Sequence, residues 1–73
     1  MKYHRYMIDL MVNGKPREAE EDTSLEAYLI AFNVNLKFVA VGYNGQVLKK
    51  DTYSSITLKA GDTLEIVRPV GGG

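Results

Sequence analysis

The period of the hydrophobic positions changes several times along these 73 residues, and each change marks an element. Residues 6–12 are apolar and β-prone, and they end at Asn13-Gly14. A type I′ turn needs positive φ at both central positions, so Asn-Gly is the strongest short signal for a hairpin. The return strand expected over residues 15–20 is polar and contains Pro16. Proline cannot donate to a ladder, which predicts an edge strand. The spacing then becomes helical: Leu25, Tyr28, Leu29 and Phe32 fall at i, i+3, i+4 and i+7 and share one stripe. Ahead of it, Thr23-Ser24-Leu25-Glu26 reads as a capping box, with Thr23 accepting from the third helical amide and Glu26 reaching back. Asn33 is the expected left-handed stop.

Alternation returns over residues 38–43, followed by a second turn at Asn44-Gly45 and a short strand over 46–48. Val39, Val41 and Tyr43 form one set and Ala40 with Gly42 the other, so the bulkier set is assigned to the helix-facing core. Residues 49–55 are polar and turn-like, with Ile56 and Leu58 as satellite core contacts. Gly61-Asp62 then turns the chain into a last strand over 63–68. There Leu64 and Ile66 point inward and Val67 lies on the other face. One mixed sheet covered by one helix is the natural way to bury these faces. The predicted fold is therefore α+β, a ββαββ arrangement with a terminal strand in the outline of a β-grasp. Residues 1–68 form the domain and residues 69–73 a flexible tail.

Composition removes several functions. A chain this short buries only about 60% of the surface its unfolded form exposes, leaving little room for an enclosed active site. Nine Lys plus Arg balance nine Asp plus Glu, and no basic stripe interleaves with aromatics, so the electrostatic footprint of nucleic-acid binding is missing. No apolar stretch approaches the ~20 residues of a membrane span. With no Cys, neither a thiolate nucleophile nor a disulfide is available. Residues 1–6 carry charges without an apolar segment behind them, which points to the cytoplasm. Glu18, Glu20, Glu21 and Asp22 lack the spacing of a metal loop and read as a solvated connection at a helix start; no metal ligand is expected. His4 is expected at the surface, with no triad partner at a defined spacing. Lys49, Lys50 and Arg68 read chiefly as solvating charges.

What remains as a candidate working part is the end, Pro69-Val70-Gly71-Gly72-Gly73. Successive residues without Cβ can enter a channel only a backbone wide. Ordering them costs roughly 1–2 kcal/mol per residue, which a partner must supply. From Pro69 onward the chain can extend about 16–18 Å, at ~3.3–3.6 Å per residue. Val70, Gly71 and Gly72 are expected to be read by partners. Ala40, Gly42 and Val67, beside the emerging tail on the uncovered face, are the expected docking platform, since exposed apolar surface near a functional end often marks a partner site.

Val39-Ala40-Val41, Asn44-Gly45, Tyr53, Leu58, Gly61-Asp62, Glu65-Ile66-Val67 and the Pro-Val-Gly-Gly-Gly end together resemble the sulfur-carrier family of thiamine thiazole synthesis, the ThiS family. The match covers most of the chain from Met7 onward. The resemblance implies a carrier rather than an enzyme, with no cofactor of its own. Its partners would be an E1-like adenylating enzyme that uses MgATP, a sulfur-donor enzyme and a thiazole synthase. Gly73 would become an acyl adenylate and then a thiocarboxylate. Three other readings share the outline: a molybdopterin-synthase small subunit, a ubiquitin-like protein modifier and a structural interaction domain.

Overall fold

The computed structural model describes residues 6–68. The tail residues Val70, Gly71, Gly72 and Gly73, together with Pro69 and His4, lie outside them. In chain order the elements are β1 (Met7–Val12), β2 (Lys15–Glu20), α1 (Leu25–Ala31), β3 (Ala40–Tyr43), β4 (Gln46–Val47), a 3₁₀ helix (Lys50–Ser55) and β5 (Thr63–Val67). The five strands form one sheet in the order β2-β1-β5-β3-β4. The last strand thus lies in the middle, parallel to β1 through Met11↔Thr63 and Val12↔Leu64, and antiparallel to β3 through Ala40↔Val67 to Tyr43↔Leu64.

Both Asn-Gly pairs form the expected turns, with Asn13 at φ 52° before Gly14 at 78°, and Asn44 at 51° before Gly45 at 89°. Pro16 does sit on an edge strand, opposite Met11. The helix begins one residue later than the capping box implied. Ser24 is the N-cap, and its hydroxyl accepts from the Ala27 amide at 3.0 Å. Thr23 instead donates its hydroxyl to the Glu20 carbonyl at 2.7 Å, closing the turn out of β2. Its backbone is also committed, because the Thr23 carbonyl accepts from Leu58 and the Leu25 amide donates to Ile56. These long-range bonds set the register of the entry to α1, which a local cap pattern cannot foresee. At the other end, Val34 donates to Leu29 and Asn33 to Ile30, with Asn33 at φ 67°. This is a Schellman closure, with asparagine in the left-handed position and buried Val34 covering Leu29.

The core lies between α1 and one sheet face: Leu10, Val12, Ala19, Leu25, Leu29, Val39, Val41, Leu58, Leu64 and Ile66, closed by Val34 and Tyr53. Leu25 and Leu29 are fully buried, whereas Tyr28 and Phe32 are half-buried rim residues rather than core. Their rings stack at 5.8 Å, and the Arg17 guanidinium from β2 covers Phe32 at 5.8 Å. A helix of seven residues is too short to hold itself, so its stability comes from this packed stripe. Among the described residues no helix is long and apolar enough to cross a membrane.

Candidate functional site

Strict alternation along β5 divides its residues between two environments. Leu64 has no exposed surface and Ile66 is buried, while Val67 is 58% exposed on the opposite face. Ala40 pairs with Val67 across the β3–β5 ladder and shares that open face. Gly42 is half-buried opposite Glu65 on the same face, and a Cβ there would meet the Glu65 Cβ at 3.7 Å, an ordinary contact. Ala40, Gly42 and Val67 are therefore neighbours on the side turned away from α1, next to the point where the chain leaves the sheet. Small residues at 40 and 42 leave the backbone of β3 accessible.

Phe38 and Lys37 join this group without any signal in the local pattern. Phe38, expected within the strand, precedes β3 and is 63% exposed. With Lys37, Val39, Ala40, Lys50 and Val67 it lines a shallow depression of about 330 Å³. Lys50 donates from Nζ to the Lys37 carbonyl, so this cation links the 3₁₀ helix to the segment before β3.

At its start β5 is fixed by a polar cluster. Asp62, read from the sequence only as part of a turn, is 8% exposed. Its carboxylate accepts from the Tyr43 hydroxyl (2.7 Å), the Lys59 amide (2.8 Å) and the Asn44 side chain (3.1 Å). Burial alone would raise the Asp62 pKa, but these donors and the nearby Lys59 charge together hold it below the usual carboxylate range. Burial, the hydrogen bond to Asp62 and the charge of that carboxylate push the Tyr43 phenol up to about 12. Tyr53 is buried as well, and its hydroxyl lies near the Val41 backbone without a well-aligned hydrogen bond among the described residues. Burial raises its pKa, with the Val41 backbone opposing. No group of three or more His, Cys, Asp or Glu among the described residues could hold a metal ion.

A five-stranded mixed sheet with a short helix across one face and its carboxyl-terminal strand in the centre defines a ubiquitin-like β-grasp protein. The sequence pattern of the ThiS family matches residues 10–73, and the chain belongs to that family. It is 34% identical over 65 residues to the sulfur carrier protein ThiS of Bacillus subtilis, covering 88% of this chain and 98% of that one. The crystal structure of the thiamine biosynthesis protein ThiS from Geobacter metallireducens superposes with a TM-score of 0.78 at 35% identity, covering 90% of this chain and all of the other. A thiazole synthase of Magnetococcus marinus is 37% identical over 66 residues, which are 90% of this chain but only 20% of that protein. The family is one of small carrier proteins rather than catalysts.

Proposed function

We propose that this chain carries sulfur for thiazole formation in thiamine biosynthesis, on the carboxyl group of Gly73. The observation that carries the reading is the family match, which extends from residue 10 through residue 73. The fold supports it, since β5 is the central strand and leads directly toward the tail.

A carboxylate is a poor electrophile, because its charge is delocalised and its leaving group would be oxide. A partner of the adenylating class would use MgATP to convert the Gly73 carboxylate into an acyl adenylate, releasing pyrophosphate. Sulfur at the sulfide level, delivered by a sulfur-donor enzyme, would then attack the acyl carbon and expel AMP, leaving a thiocarboxylate. No cysteine is needed on the carrier. Val70, Gly71 and Gly72 would fit the narrow approach to the adenylation pocket, while Ala40, Gly42 and Val67 dock the body. The acceptor partner would be a thiazole synthase. In the Magnetococcus protein of that name, and in that of Paramagnetospirillum magneticum, a segment similar to this chain is part of the same polypeptide. We place the reaction in the cytoplasm, where MgATP is available.

Intact-mass measurement of the protein from its own cells tests this directly. Exchange of one oxygen for sulfur adds about 16 Da, and the change should map to Gly73. Protein that never shows this mass, even when the adenylating enzyme, MgATP and a sulfur donor are supplied, overturns the proposal.

A further inference from the structure

We propose that Asn13 is a positioning residue, whose side chain acts as one extra rung of the sheet and fixes the direction in which β5 delivers the tail. This role rests on the carrier reading above.

The hydrogen-bonding groups of β5 alternate sides. Those of residues 62, 64 and 66 face β1, while Thr63 faces the β3 side through its bonds to Asn44. On the β1 side Met11 donates to Asp62 and Asn13 to Leu64, and there β1 stops because the chain reverses at Asn13-Gly14. The backbone of Ile66 would then face no strand. The side chain of Asn13 takes that place: its Oδ1 accepts from the Ile66 amide at 2.7 Å and its Nδ2 donates to the Ile66 carbonyl at 3.2 Å. A primary amide presents one acceptor and one donor side by side, as a peptide unit does, so it can bond both groups of one residue. On the other side the last rung is the Val67↔Ala40 pair. The root of the tail is thus held between Asn13 and β3, two residues before Arg68.

Asn44 provides an internal comparison. It occupies the equivalent position in the second Asn-Gly turn, and its side chain accepts from the Thr63 amide at 2.8 Å and donates to Asp62. The two turn asparagines therefore bracket β5, Asn44 at its start and Asn13 at its end. Of the two, Asn13 is bonded nearer the carboxyl end of β5, at Ile66.

Asn13→Gly removes the clamp while glycine keeps the positive φ that the turn requires. Amide exchange at Ile66 should accelerate at least about tenfold. In ATP–pyrophosphate exchange by the adenylating enzyme, the apparent KM for the carrier should rise about three- to tenfold with kcat within about twofold, because the presented orientation is populated only part of the time. Asn44→Gly should lower Tm at least as much, through its lost bonds to Asp62 and Thr63, yet leave that KM within about twofold. Asn13→Asp, which keeps the acceptor for the Ile66 amide, should fall between wild type and Asn13→Gly in both readouts. The inference is overturned if Asn13→Gly leaves KM unchanged, if Asn44→Gly raises it equally, or if Ile66 exchange does not respond. Wild-type protein that supports no pyrophosphate exchange would instead overturn the carrier reading and the positioning role with it, whereas Ile66 protection would still report the clamp itself.

Discussion

The two faces of β5 place side chains one residue apart under opposite constraints. Leu64 and Ile66 close the core beneath α1, and Glu65 and Val67 stand on a face left open among the described residues. The inward residues hold the strand in the sheet centre. The outward ones are free to be chosen for contact. A strand between two others therefore serves as both the anchor of the fold and the arm that carries the tail, and the two tasks can be damaged separately.

The strongest test is on the inward face. Leu64→Asp should cost about 4–5 kcal/mol or more, by deleting a fully buried aliphatic group and stranding a charge. Stability on the order of 0.05–0.15 kcal/mol per residue leaves little beyond that, so the domain should unfold, read by loss of cooperative thermal melting. A well-folded Leu64→Asp protein would invert the assignment of faces.

Asp62→Ala should cost about 1–3 kcal/mol, since it removes the acceptor shared by the Tyr43 hydroxyl, the Asn44 side chain and the Lys59 amide at a partly buried site. The same cluster gives a pH signature. The folded-state pKa of Asp62 is depressed, so its contribution is present above the unfolded value of about 3.9 and is lost as pH falls through the lower folded value. Tyr43 behaves in the opposite sense. Its pKa is raised to about 12, so its contribution is complete below the unfolded value near 10 and is lost as pH rises toward 12. Denaturant melts of wild type and Asp62→Asn across pH 2–12 check this: the variant should show shallower acid and alkaline limbs. Equal limbs in both proteins would remove the cluster as their source.

On the outward face, Val67→Asp should change stability by less than about 0.5 kcal/mol, because the side chain is already exposed. It should raise the apparent KM for the carrier in adenylation by placing a charge on the apolar platform with Ala40. A collapse of the structure, or unchanged KM, would remove Ala40, Gly42 and Val67 as the docking face.

Elements with a strong local signal were legible in advance. Both Asn-Gly turns, the polar edge strand with Pro16, the Asn33 stop and the facing of Leu64, Ile66 and Val67 follow from φ preference, donor count and period. What escaped depended on partners distant in sequence. Thr23 lost the cap because its carbonyl is engaged by Leu58, and Asp62 is buried because Tyr43, 19 residues away, supplies a donor. Asn13 was legible as a turn residue, but its bonds to Ile66 span 53 positions and leave no mark in the local pattern. Phe38 kept the alternation of the strand that follows and so read as part of it; in the fold the ladder starts only at Ala40.

The smallest expected effect on stability comes from the tail, and there the separation of fold from function should be complete. Removing Gly72 and Gly73 deletes no side chain, and termini contribute little unless tied down, so Tm should stay within about 1 °C of wild type. Sulfur loading, by contrast, should vanish, because the carboxyl group would be drawn back by two residues, about 7 Å of extended chain, from the adenylating centre. Gly72→Val refines the test without changing length. A β-branched residue restricts φ and widens the chain where a backbone-wide channel is required, so activation should fail while the melt is unchanged. The measurement is pyrophosphate exchange beside thermal unfolding on the same samples. Activation of the truncated chain at its new end would show that the partner reads only a free carboxyl group, and the proposed roles of Gly72 and Gly73 would fall.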